Sequence, residues 1–182
     1  MFNLFKKKEG FVKVKDIIWM NSEAKWNGVA DLWKKDENTI FIFWFDESLR
    51  KAQEVLSQQI TGNINLITAR EIRLQHVENK PVVFAEHYPL KKKEEELFQN
   101  LHLEEVKILS SLDEPLFKRF GSDKIIQLMK QMGTGERQSI ENNLITKAIH
   151  NAQEKMESKV SFEQSAHSQG DWLEKNLQPK PQ

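Results

Sequence analysis

The run Thr39 to Phe45 (TIFIFWF) constrains this chain more than any other feature. After Thr39 it has no polar residue, so both faces of a strand built from it need cover. That is the position of a central strand in a parallel sheet flanked by helices on both sides. The neighbouring segments supply the rest of such a sheet. Asp16 to Met20 is a short apolar run, Ile64 to Thr68 (INLIT) reads as a third strand, Pro81 to Ala85 (PVVFA) as a fourth with its proline at the tolerated first position, and Val106 to Leu109 as a fifth.

Helical spacing fills the intervals. Ser22 and Glu23 offer a cap and an acidic first turn, after which Trp26, Val29, Ala30 and Trp33 fall on one stripe. Asp46 is placed to cap a helix with Leu49, Ala52, Leu56 and Ile60 on one face, and Lys91 to Leu101 is helical. Strand alternating with helix predicts a doubly wound, mostly parallel α/β sheet. Beyond it, Asp113 and Pro115 start a short helix that Gly121 ends. Ser122 opens another with Ile125, Ile126, Met129 and Met132 inward. A last helix from Asn143 to about Lys159 carries the stripe Leu144, Ile145, Ala148, Ile149, Ala152 and Met156.

The expected organisation is a tail over residues 1–15, an α/β domain over 16–133, a helical extension over 134–160 and a mostly disordered polar tail over 161–182. The chain has 182 residues, no cysteine, and 27 basic against 27 acidic residues. The first number allows a real core, the second excludes disulfides and thiolate metal sites, and the third leaves no global field to draw in nucleic acid. Met1 to Lys8 (MFNLFKKK) has the character of a solvated tail with, at most, weak membrane-surface contact. No window approaches the roughly 20 apolar residues of a membrane span, and a cytoplasmic setting is expected.

Two stretches carry a resemblance. DIIWMNSEAKWNGVADLW with IFIFWFDESLRKAQEVL (Asp16 to Leu56) looks like the start of the second nucleotide-binding domain of SecA, the ATP-driven motor of bacterial preprotein export. SLDEPLFKRFGSDKIIQLMKQMG (Ser111 to Gly133), continued by IENNLITKAIHNAQEKMES (Ile140 to Ser158), resembles the exit of that domain and the start of SecA's scaffold helix. The resemblance implies a RecA-like domain in degenerate form. The phosphate loop of the first SecA domain, G-x-x-x-x-G-K-[ST], does not occur in this sequence. The family's arginine-rich segment between strands four and five is replaced by Phe98 to Glu105 (FQNLHLEE), which contains no arginine. The family's glycine-rich segment before strand four is missing as well. Because arginine fingers supply orders of magnitude in phosphoryl transfer, the chain alone is expected not to hydrolyse a nucleotide and to need no cofactor.

The function expected from this pattern is a non-catalytic interaction module related to protein export, its partner drawn from the Sec machinery or a second copy. Two alternatives come from other classes: a half-motor completing an ATP site on a partner, and a small enzyme using Glu86 and His87 beyond strand four. Lys91, Lys92 and Lys93 at a helix start oppose the helix dipole and read as a solvated face or as an anion or acidic-partner site. Ile145 and Ile149 stand for a stripe that must fold back, dimerise or meet a partner. Trp172, alone with Leu173 in GDWLEKNL, reads as a short partner-binding motif. Trp19, Trp26, Trp33 and Trp44 are expected in the core or an interface. His76, His102, His150 and His167 show no metal-ligand spacing.

Overall fold

The computed structural model describes residues 12–131, 133 and 135–177, the side chains of Lys124 and Leu128 excepted. The expectations for Met1 to Lys8 and for Met132 fall outside them. Five strands form one sheet: β1 (Lys13–Trp19), β2 (Ile40–Phe43), β3 (Asn65–Thr68), β4 (Val82–Phe84) and β5 (Glu105–Ser111). They lie in the order β1-β5-β4-β2-β3, and every pairing is parallel. The helices between them are α1 (Ser22–Lys35), α2 (Asp46–Ser57), α3 (Leu74–Val77) and α4 (Lys91–Asn100). The expected doubly wound, RecA-like α/β sheet is therefore what the chain forms.

The alternation along β2 shows why its run is apolar throughout. Phe41 and Phe43 enter one core with Trp26, Val29 and Trp33 of α1 and Ala52 and Leu56 of α2. Ile40 and Ile42 enter a second core with Val77 of α3 and Phe98 of α4. Each face of the central strand thus has its own helical cover. Glycine is required where α1 crosses β1, because a Cβ on Gly28 would stand 2.3 Å from the Trp19 ring.

The sheet begins earlier than expected, at Lys13 rather than within the apolar run. Lys13 and Lys15 flank Glu105 across the β1–β5 edge, at 3.4 and 2.7 Å, so paired charges extend the strand into a polar stretch. After β5 come α5 (Pro115–Arg119), α6 (Asp123–Gln131) and α7 (Asn143–Glu157). Gly121, at φ +82°, ends the α5 turn as expected. Ile125, expected inward, is 48% exposed, while Met129 is buried.

The α7 stripe folds back. Ile149 and Met156 are buried in a third core with Ile18, Met20, Leu112, Leu116 and Phe117, and Ile145 packs against it. Leu144 lies off that face and stays exposed.

The largest correction concerns residues 161–182, expected as a disordered tail. Gln169–Leu177 forms an eighth helix, α8, and Trp172 is fully buried with Phe45 and Leu90. Partners remote in sequence supply what the local composition lacks. Residues 178–182 lie outside the described part. Among the described residues no helix is long and apolar enough to cross a membrane.

Candidate functional site at the switch point of the sheet

In an open α/β sheet the crevice for a ligand lies beyond the carboxyl ends of two neighbouring strands whose connections leave in opposite directions. Here those strands are β2, which leads outward to β3, and β4, which leads inward to β5. The residues following them are Trp44 and Phe45 on one side, Glu86 and His87 on the other.

Glu86 closes this switch point. Its Oε1 accepts the backbone N–H groups of Trp44 (3.0 Å) and Phe45 (3.1 Å), and its Oε2 accepts the Ser48 hydroxyl at 2.7 Å. The expected cap of α2 was Asp46, yet Phe45 is the N-cap residue and no cap side chain bonds there. A carboxylate from β4's exit instead accepts the N-cap amide of Phe45 and the Trp44 amide before it across space, and in the first turn the Glu47 amide donates to the His167 carbonyl at 3.1 Å. Burial pushes the Glu86 carboxyl up to about 7, against the opposing pull of Lys25 and the Ser48 hydroxyl.

Beside Glu86 lies a cavity of about 250 Å³ lined by Ser22, Lys25, Ser48, Glu86, Glu114 and Gln169, among others. Lys25, itself buried, donates to the Ala85 carbonyl at 2.7 Å and pairs with Glu114. Asp113 accepts both the backbone N–H (2.9 Å) and the hydroxyl (2.8 Å) of Ser22. The side chains around this crevice are largely engaged with one another.

His87 reaches away from the crevice into a second buried centre. Its Nε2 lies 2.7 Å from Asp16 Oδ1 and its Nδ1 lies 3.0 Å from Glu94 Oε1, all three side chains being almost fully buried. Burial alone would lower the imidazole's pKa, but Glu94 and Asp16 together raise it to about 10. The ring is therefore an imidazolium at neutral pH and donates from both nitrogens. Burial works to raise the Asp16 carboxyl as well, yet the His87 charge and hydrogen bond hold it below the usual range. Gln153 of α7 completes the cluster, donating to Glu94 Oε2 at 3.0 Å and to the Tyr88 carbonyl at 2.7 Å.

The other singled-out residues are distributed around this centre. Lys91 meets acidic residues within the chain: its Nζ pairs with Glu154 of α7 at 2.8 Å. The Lys92 backbone N–H donates to Glu157 at 2.6 Å, while the Lys92 and Lys93 side chains are exposed. The strained helix start is thus offset by the folded-back α7. Ile149 and Trp172 are buried, and Ile145 is half-buried. Trp19, Trp26 and Trp33 are core residues, and Trp44 is half-buried against Phe84 and Tyr88.

The reading of the sequence missed Asp16, Lys25, Gln153 and Gln169. Two had a visible signal: an aspartate inside a strand is disfavoured, and Gln153 interrupts the stripe between Ile149 and Met156. Lys25 and Gln169 had none, because both act on backbone carbonyls far away in sequence.

The fold and this crevice define a RecA-like α/β domain whose ligand edge is occupied by its own side chains. No family model matches the chain. Part of it is similar to protein translocase subunit SecA. The similarity is 47% identity over 57 residues with that of Campylobacter fetus, covering 31% of this chain and 6% of that protein. It is 52% over 48 residues with that of Campylobacter hominis, covering 26% and 5%. For Acidithiobacillus ferrooxidans it is 49% over 49 residues, covering 27% and 5%. The chain thus contains a SecA-like region, and the matched stretch spans about a twentieth of the length of these relatives.

Proposed function

We propose that the chain is a non-catalytic SecA-like module that acts in bacterial protein export by contact with other proteins, in the cytoplasm and without a cofactor. The observation that carries this reading is the Glu86 carboxylate at the switch point. A nucleotide phosphate bound there would approach the amides leading into α2, and Glu86 already holds those of Trp44 and Phe45 at 3.0 and 3.1 Å. A second anion at that place would meet both the occupied donors and the Glu86 charge.

The similarity to a translocase subunit supports the export setting, with Sec components as the partner class. The alternative enzyme using Glu86 and His87 fits less well. Both oxygens of Glu86 and both nitrogens of His87 have protein partners, so a substrate would have to displace those partners before either group exchanged a proton with it.

Titration calorimetry with Mg-ATP, first on the protein alone and then with SecA from the same organism, tests the reading. No heat from nucleotide in the first case and a complex with SecA unaffected by nucleotide in the second are expected. Micromolar ATP affinity of the protein alone overturns the reading. ATP affinity that exists only in the complex establishes the half-motor instead.

A further inference from the structure

Beyond the sheet, α6 and α7 present apolar residues to one cleft. Ile125 and Met129 of α6 and Ile145 and Ile149 of α7 line a space of about 270 Å³, whose deep side is closed by Ile18 of β1 and Phe117 of α5. Eleven of its twelve lining residues are apolar. The exception, Ser122, is buried, and its hydroxyl already donates to the Leu112 carbonyl. The cavity at the switch point has nearly the same volume, about 250 Å³, and the opposite chemistry, being lined mainly by carboxylates, lysines and serines.

Protein cores pack as densely as organic crystals and hold few voids larger than a water molecule, so a cleft of this size at the margin of the third core stands out. It opens to solvent between the two helices, where Ile125 is 48% exposed and Ala148 is exposed, while Ile18, Phe117 and Ile149 at its floor are buried. A water molecule is held in such a place only by about two to four polar partners. The lining side chains offer none that is unengaged. An apolar guest is favoured instead, because it takes the walls out of water without breaking a hydrogen bond of the protein. Volume narrows the guest further. One turn of helix, about 5.4 Å long and 10–12 Å across, already exceeds the cleft. A cavity of about 150 Å³ walled by Leu, Ile and Phe takes up benzene. The present volume is nearly twice that, room for one ring and a short chain.

We propose that the cleft between α6 and α7 is a binding site for a small uncharged apolar molecule, an aromatic ring bearing a short aliphatic chain. The proposal is independent of the export reading, since it uses no residue of the switch point. Both helices carry part of the wall, so a guest ties α6 to α7 and to the edge strand β1. It also covers Ile125, which α6 otherwise leaves half in water.

The test uses the full-length protein and n-butylbenzene as the probe. Its polar counterpart is p-xylylene glycol, a ring with a hydroxymethyl group at each end, one of which must be buried on entry. Methyl NMR is expected to show saturable shifts with butylbenzene at Ile18, Ile125, Ile145 and Ile149, while Ile40 and Ile42 of β2 stay unmoved. The glycol is expected to bind at least about ten-fold more weakly, because the walls have no partner for its hydroxyl. Ala152→Phe fills the cleft from the α7 side and is expected to weaken butylbenzene by a similar factor. Ala148→Phe, at the exposed mouth, does the same with less risk to the core, and the Ile40 and Ile42 methyls report whether each variant is native. Three results overturn the proposal: no methyl shift up to the solubility limit of butylbenzene, equal binding of the two probes, or undiminished binding in a native filled variant. A wild-type dimer in sedimentation that butylbenzene dissociates also overturns it, because the cleft then belongs to a second copy of the chain.

Discussion

Glu86 and His87 are consecutive residues, both almost fully buried, and both suffer desolvation of their charged forms, yet they end in different states. His87 reaches two carboxylates directly and is held charged, its pKa raised to about 10. Glu86 reaches two backbone amides and a hydroxyl, with Lys25 acting only through space, and its carboxyl rises to about 7. Here Lys25 at a distance and the neutral donors around Glu86 compensate its burial incompletely, whereas two carboxylates at hydrogen-bond distance more than offset the burial of His87. One residue of register therefore separates a fixed structural ion from a group poised to titrate near neutrality.

The sharpest way to break this comparison is His87→Ala, which leaves the buried Asp16 and Glu94 carboxylates facing each other without their cation. Removing one member of such a cluster costs about 3–5 kcal/mol, so denaturant melts at pH 7 are expected to show a fall of that order. A loss under about 1 kcal/mol would mean that water reaches the cluster.

The pH dependence separates the two centres by window. Both groups have folded pKa values above their ordinary ones, so each contributes stability that is complete at low pH and lost as pH rises. For Glu86 the window runs from 4.5 to about 7. For His87 it runs from 6.5 to about 10. In the first window wild-type stability is expected to fall by an amount on the order of 3 kcal/mol. Glu86→Gln, which keeps an acceptor for the Trp44 and Phe45 amides, is expected to remove that slope and leave the upper window intact. A slope that survives the substitution assigns it to another group.

The sheet was legible because its signals are local: a two-faced apolar run at Ile40–Phe43 and the stripe Trp26, Val29, Trp33 need only their neighbours in sequence. The crevice at the switch point could be placed from the sequence, beside Glu86 and His87 beyond strand four, but the states of those residues could not. What decides their states is Asp16 from the first strand, Glu94 from α4, and Gln153 and Gln169 from beyond the sheet. The same cause hid α8. GDWLEKNL contains too little apolar surface to hold itself, and the residues that hold it, Phe45, Tyr88 and Leu90, lie more than 80 positions earlier. Likewise the capping of α2 was assigned to Asp46 because caps are usually local, whereas the N-cap residue is Phe45 and the acceptor of its amide arrives from beyond another strand.

The outer members of the two centres extend the comparison. Gln153→Leu removes the donor to Glu94 Oε2 and to the Tyr88 carbonyl, leaving buried acceptors unpaired. About 2 kcal/mol is expected in urea melts. The loss should persist from pH 5 to 8, because His87, its pKa raised to about 10, keeps its charge there. A loss that varies across this range would show that His87 changes charge there after all.

Ser48→Ala is the matching change on the other side and the smallest of the series. The hydroxyl donates to Glu86 Oε2 at 2.7 Å, and Ser48 is only half-buried, so water can replace part of what is removed. The bond matters most when Glu86 is ionised, since hydrogen bonds to charged groups are stronger than neutral ones. Little change is therefore expected at pH 5, and about 1 kcal/mol at pH 8. The difference between the two is the linkage counterpart of a further rise in the Glu86 pKa, because the Ser48 bond is one of the influences now holding it down. Stability measured against pH should show the midpoint of the lower window moving to higher pH in the variant. An equal loss at both pH values would mean that the hydroxyl serves α2 rather than the carboxylate, and the contrast between Glu86 and His87 would then rest on the backbone amides alone.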